Sequence, residues 1–239
     1  MQKIVEKMSI NYSPNFNLVK RTSSKVKYLV FHYTGMKSEN AALKRLTNTN
    51  SRVSCHYLIK NNGEIVKIVP DLYTAWHAGV SSWKKDISLN SNSIGIEISN
   101  PGHKHGYKSF NKNQILSIIN LSKKLKNKYK IKKENILGHS DIAPLRKKDP
   151  GEKFPWKLLN KRKISLWHKV SEKKCKKLRK IKLNNNKAFY KLLFRFGYKS
   201  SKKSNEKIKI YKSFQRRFRP QSISSIVDKE SYAILKSLI

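Results

Sequence analysis

The sequence predicts an α/β fold: a central mixed β-sheet flanked by helices, with a small all-α C-terminal domain behind it. Three observations carry this. Strand-like and helix-like signals alternate through the first 158 residues, the composition changes after Trp156, and apolar residues return at helical spacing beyond residue 186. Alternation of the two element types in one segment is what a sheet covered by helices requires.

Residues 1–25 read as an N-terminal extension. Val26-Lys-Tyr-Leu-Val-Phe31 is a short apolar run suited to a buried strand, and it delivers His32 at its end. His56–Asn61 and Glu64–Val69 flank Asn62-Gly63, a hairpin signal because this pair adopts the positive φ angles of a tight turn. From Ser93 to Ser99 isoleucine alternates with small or polar residues, so Ser93, Gly95, Glu97 and Ser99 share one face. Ile115, Ile118, Ile119 and Leu125 recur at helical spacing between Asn111 and Lys128, and Asn111 with Gln114 forms a capping pair at the start. Residues 159–185 read as a basic linker, an exposed connection or a weak helix, with Lys161-Arg-Lys163 and Lys173-Lys-Cys-Lys-Lys177 and few large apolar side chains. In residues 186–239, Phe189, Leu193 and Phe196, then Ile210, Phe214 and Phe218, then Ile234, Leu235 and Leu238 mark three short helices. A core of that size is near the lower limit for independent folding.

The 239 residues include 54 Lys plus Arg against 14 Asp plus Glu, a formal charge of +40. Residues 1–150 hold 27 basic and 9 acidic side chains (+18), and residues 151–239 hold 27 and 5 (+22). This balance suits polyanions such as nucleic acid, anionic lipid or an acidic wall polymer, without choosing among them. Cys55 and Cys175 are too few for a disulfide scaffold or a cysteine-rich zinc module. No run reaches the roughly 18 apolar residues of a membrane span, and Met1–Met8 lacks the apolar centre of a signal peptide. A soluble, cytoplasmic monomer is therefore expected, with periplasm or cell envelope as the alternative compartment.

Three polar residues fall where short strands or loops end: His32 in Phe-His-Tyr-Thr-Gly, His139 in Leu-Gly-His-Ser-Asp, and Asp149 in Lys-Lys-Asp-Pro-Gly. Two imidazoles and a carboxylate suffice to hold a catalytic zinc with one position open for water. Taken singly, each histidine reads more readily as a surface or packing residue, since ligands scattered along a chain leave no local signature.

Their surroundings supply one. His32-Tyr33, Ser54-Cys-His-Tyr-Leu-Ile59, Ala75-Trp-His-Ala-Gly79, Ser93-Ile-Gly-Ile-Glu97, Gly138-His-Ser-Asp-Ile-Ala-Pro144 and Lys147-Lys-Asp-Pro-Gly151 follow one another in a fixed order. That order resembles the zinc-dependent N-acetylmuramoyl-L-alanine amidases of the AmpD and AmiD type over residues 26–158. The blocks Leu192–Tyr198, Phe214–Pro220 and Val227–Glu230 resemble the small three-helix peptidoglycan-binding module of the AmiD branch, at 186–239 here. The resemblance implies Zn2+ on His32, His139 and Asp149, Glu97 as general base and Lys147 as the charge that stabilises the oxyanion. It implies a substrate groove touched by Tyr33, Trp76 and His77, with peptidoglycan or muropeptides as substrate and no specific nucleic acid partner. His56 reads as a buried, hydrogen-bonded residue, His103 and His105 as a surface loop, and Lys148 as an exposed neighbour of Lys147. The competing readings are a noncatalytic wall-binding protein on the same fold and a basic nucleic-acid-binding protein.

Overall fold

The computed structural model describes residues 7–179 and 181–239. Residues 1–6, part of the expected extension and of the stretch read for an export signal, lie outside the described residues, as does Lys180 of the basic linker. In chain order the elements are β1 (Met8–Ile10), β2 (Phe16–Asn17), β3 (Tyr28–Tyr33), α1 (Glu39–Thr47), β4 (Tyr57–Ile59), β5 (Ile65–Lys67), β6 (Thr74–Ala75), β7 (Ser82–Trp83), β8 (Asp86–Ile87) and β9 (Ser93–Ile98). There follow α2 (Lys112–Lys128), β10 (Ile136–Gly138), α3 (His139–Ile142), α4 (Trp156–Lys161), α5 (Glu172–Arg179), α6 (Asn186–Phe196), α7 (Ser204–Phe218) and α8 (Lys229–Lys236).

Six strands form a mixed sheet in the order β1-β5-β4-β9-β3-β10, in which only the β4–β5 pair is antiparallel. Because β4, β9, β3 and β10 run the same way, their C-terminal ends line up along one edge. Open α/β sheets place their ligands at such an edge.

The alternation of each strand sorts its side chains between two layers. Leu29 and Phe31, Ile94, Ile96 and Ile98, and Ile136 point one way, onto Ile118, Leu121 and Leu125 of α2. That helix starts where the sequence places it: the Asn111 side chain accepts from Gln114 N–H at 3.0 Å, and Gln114 Oε1 accepts from Asn111 N–H at 3.2 Å. Tyr28, Val30 and Leu137 point the other way, into one cluster with Phe189 and Leu193 of α6, Phe214 and Phe218 of α7, and Ile234 of α8.

Four features correct or sharpen the sequence reading. The N-terminal extension supplies β1, which pairs with β5 at the sheet edge, and the buried Arg21, which donates to the carbonyls of Asp71, Asn90 and Ser93. In the hairpin only Gly63 has positive φ, at 85°; Lys60 N–H bonds Glu64 O and Gly63 N–H bonds Lys60 O, so the loop has three residues and one left-handed glycine. The basic linker holds α5, whose Cys175 enters the tail-side cluster while its lysines face solvent. Finally, α6, α7 and α8 share their core with the sheet, because a bundle this short buries too little apolar surface by itself. No helix among the described residues is long and apolar enough to cross a membrane.

Candidate metal centre

His32 stands near the end of β3, opposite Glu97 of β9 in the ladder, and both point to the tail side of the sheet. His139 opens α3 directly after β10, and Asp149 closes the following loop. The three predicted ligands are 1%, 3% and 6% exposed. His32 Nδ1 lies 2.9 Å from His139 Nδ1 and 3.1 Å from Asp149 Oδ2, and His139 Nδ1 lies 2.9 Å from the same oxygen. Neighbouring ligands of a tetrahedral zinc with bonds of about 2.0 Å are about 3.3 Å apart, so this triangle has the right size. It is the one such group of three among the described residues.

The proton positions favour a cation. The Ser93 hydroxyl donates to Leu89 O, so its oxygen must accept from His77 Nε2 at 3.1 Å. His77 Nδ1 is then an acceptor, and His32 Nε2 donates to it at 3.1 Å. On the other ligand, His139 Nε2 donates to Ala78 O at 3.0 Å. Both imidazoles therefore turn a bare Nδ1 toward the carboxylate of Asp149. Three lone pairs converge with no proton between them, which is repulsive unless a cation sits among them. Burial, reinforced by His139, pushes the His32 imidazole down to about 4. Neutral histidine and ionised aspartate are the forms that bind metal.

His77, expected in the substrate groove, is thus occupied behind a ligand, although its ring also reaches the cleft floor. Room for it comes from Gly95, where an added Cβ would sit 2.4 Å from the His77 ring. His56 is fully buried, its Nδ1 accepting from Gly95 N–H.

The triangle opens on a cleft of about 610 Å³ lined by Tyr33, Trp76, Glu97 and Lys147 among others. Glu97 Oε2 is buried without a hydrogen-bond partner. Burial and the nearby Asp149 push this carboxyl up to about 8, with Lys147 pulling the other way. Lys147 is half-buried and Lys148 exposed. The Tyr33 hydroxyl donates to His103 Nδ1, whose Nε2 donates to Glu152, and the Trp76 indole donates to Asn17.

Sequence reasoning missed Arg146 and underread His103. Arg146 lies between the last two ligands and donates to Ala78 O and Val80 O, tying the 78–80 loop to His139. Its position between the Gly138–Pro144 and Lys147–Gly151 blocks was the available signal. His103 is a half-buried bridge stacked on Tyr107, not a free loop histidine. Arg45, Lys104, Arg146, Lys147 and Lys148 line the cleft against Glu97 and Asp149, so its walls favour an anionic ligand.

A buried two-histidine, one-carboxylate centre at the C-terminal edge of a mixed sheet, beside a glutamate with one buried, unpartnered oxygen, defines the metal-hydrolase class. Residues 22–152 match the family model for N-acetylmuramoyl-L-alanine amidase. The chain is 34% identical over 232 residues to N-acetylmuramoyl-L-alanine amidase AmiD of Escherichia coli, covering 90% of this chain and 83% of that protein. It is 39% identical over 124 residues to 1,6-anhydro-N-acetylmuramyl-L-alanine amidase AmpD of Citrobacter freundii, covering 52% of this chain and 64% of that one. Its fold is similar to solved E. coli AmiD in complex with the substrate anhydro-N-acetylmuramic acid-L-Ala-D-gamma-Glu-L-Lys, with a TM-score of 0.81 at 32% identity, over 93% of this chain and 91% of that chain. The chain belongs to the N-acetylmuramoyl-L-alanine amidase family.

Proposed function

We propose that this chain is a zinc-dependent amidase that hydrolyses the bond between N-acetylmuramic acid and L-alanine in peptidoglycan or anhydro-muropeptides. The observation that carries this is the convergence of His32 Nδ1, His139 Nδ1 and Asp149 Oδ2 within 3.1 Å at the floor of a cleft, beside the Glu97 carboxyl. The donor set fits zinc, which takes neutral imidazoles and a carboxylate in tetrahedral sites with one open position.

An amide resists hydrolysis because its carbonyl is a poor electrophile and its nitrogen a poor leaving group. When bound, zinc lowers the pKa of water toward 7 and polarises a carbonyl oxygen. Glu97 takes the proton of the attacking water and returns it to the departing nitrogen, a role suited to a carboxyl tuned close to neutral pH. Lys147, whose charge already acts on His32 and Glu97, stabilises the negative oxygen that develops. Tyr33 and Trp76 offer aromatic walls to the sugar or the peptide stem, and the cleft's lysines and arginines suit the stem carboxylates. A protein that only bound wall fragments would have no use for bare ligand atoms or a glutamate whose buried Oε2 has no hydrogen-bond partner.

The test is metal analysis with muropeptide digestion. About one zinc per chain, with peptide release that a chelator stops and zinc restores, supports the proposal. Bound zinc without release of L-alanine-terminated peptide overturns it in favour of recognition alone. Intact sacculi and isolated anhydro-muropeptides, digested side by side, separate the two substrates.

A further inference from the structure

The helix that carries His139 cannot hold itself. α3 has four residues, a single turn, and isolated turns of that length are unstable. Its support comes from the tail. The Asp141 carboxylate accepts from the Arg217 guanidinium at 2.7 Å and from the Tyr198 hydroxyl at 2.5 Å, while also accepting from Gly138 N–H at 2.8 Å. The Ser213 hydroxyl donates to Ser140 O, and Ser140 N–H donates to Asp149 O. Arg217 further donates to Ile136 O of β10 and lies over the Trp156 ring. Tyr198, Ser213 and Arg217 are each at most 2% exposed. They close on the residues either side of His139, and through Ser140 they reach the backbone of Asp149.

We propose that Tyr198, Ser213 and Arg217 are positioning residues for the metal centre, so that the tail sets how tightly His32, His139 and Asp149 hold their ion. This rests on the zinc reading above. It gives the tail a task distinct from the wall binding that its resemblance implies: it is part of the frame that orients two of the three ligands. Groups that orient metal ligands typically contribute about 10- to 100-fold in metal affinity.

The experiment uses the full chain and measures zinc affinity by competition with a chromophoric chelator, plus the visible spectrum after cobalt substitution. Tyr198→Phe and Ser213→Ala remove one hydroxyl each and keep the packing, and the double variant combines them. Leu235→Ala on α8 is the control, since it opens the same apolar cluster and leaves the bonds to Ser140 and Asp141 in place. The double variant is expected to weaken zinc about 10- to 100-fold and to alter the cobalt spectrum, with Leu235→Ala leaving both unchanged. Arg217→Lys, which keeps a charge on Asp141, is expected to fall between wild type and the double variant. Unchanged zinc affinity in the folded double variant overturns the proposal, as does equal weakening in Leu235→Ala. A wild-type chain that binds neither zinc nor cobalt overturns the metal reading itself.

Discussion

The two faces of the sheet solve different problems. On the α2 side, isoleucines of β9 meet isoleucines and leucines of the helix, and the buried Asp71 carboxylate accepts from Tyr57, Lys128 and Tyr129 beside them. On the tail side, phenylalanines share their layer with the buried ion pairs Arg217–Asp141 and Arg219–Asp228 and, toward the strand ends, with the metal triangle. The first face is held by volume and area, where any well-fitting apolar side chain serves. The second is held by directed bonds, each of which leaves a buried polar group stranded when one partner is lost. A protein that must aim three ligand atoms at one point concentrates its directional chemistry on the side that carries them.

The contrast can be broken in order of size. Phe214→Ala on the tail face is expected to cost ~3–5 kcal/mol of unfolding free energy, read by urea denaturation, because it opens a cavity in the fully buried layer under the site. Glu97→Gln is expected to keep its metal and slow turnover by ~100-fold or more, measured on muropeptides at saturating zinc. Turnover near wild type would remove Glu97 from the chemistry. His77→Ala, which cuts the proton chain to His32, is expected to weaken zinc by about 10- to 100-fold with the fold retained.

Glu97 also makes a pH prediction for the metal-free protein. Its folded carboxyl stands at about 8, above the unfolded value near 4.5, so its stabilising contribution is present in full below 4.5 and is lost as pH rises through 8. Thermal melts should therefore show Glu97→Gln gaining on wild type between those limits, with a constant offset below them. The smallest effect belongs to the other face: Ile96→Val is expected to cost ~0.5–1.5 kcal/mol and leave zinc affinity and turnover unchanged.

Legibility followed the range of the interaction. The α2 cap, the hairpin and the alternation of β9 were readable because each is set by residues a few positions apart. The ligands were readable only through their motifs, since His32 and His139 are 107 residues apart and nothing local links them. β1 escaped because Met8-Ser-Ile10 is a three-residue edge strand with both apolar side chains exposed, which carries no burial pattern. The place of His77 depends on a glycine in a strand it does not belong to. Arg217 was hidden inside a run of basic residues, and its burial is set by Asp141, 76 residues earlier. Charge counted along the chain cannot tell a solvated lysine from a guanidinium locked under a metal ligand.

Gly95 shows what such a contact imposes on change. A methyl group at that position would overlap the imidazole behind it, and displacing the imidazole would remove the acceptor that fixes the proton on Nε2 of the first ligand and so its metal-binding tautomer. Alanine at 95 therefore acts as a remote lesion of the ion site while adding one carbon to a strand. Only a paired replacement that also shrinks residue 77 would relieve the clash, and that variant would still lack the proton acceptor behind His32.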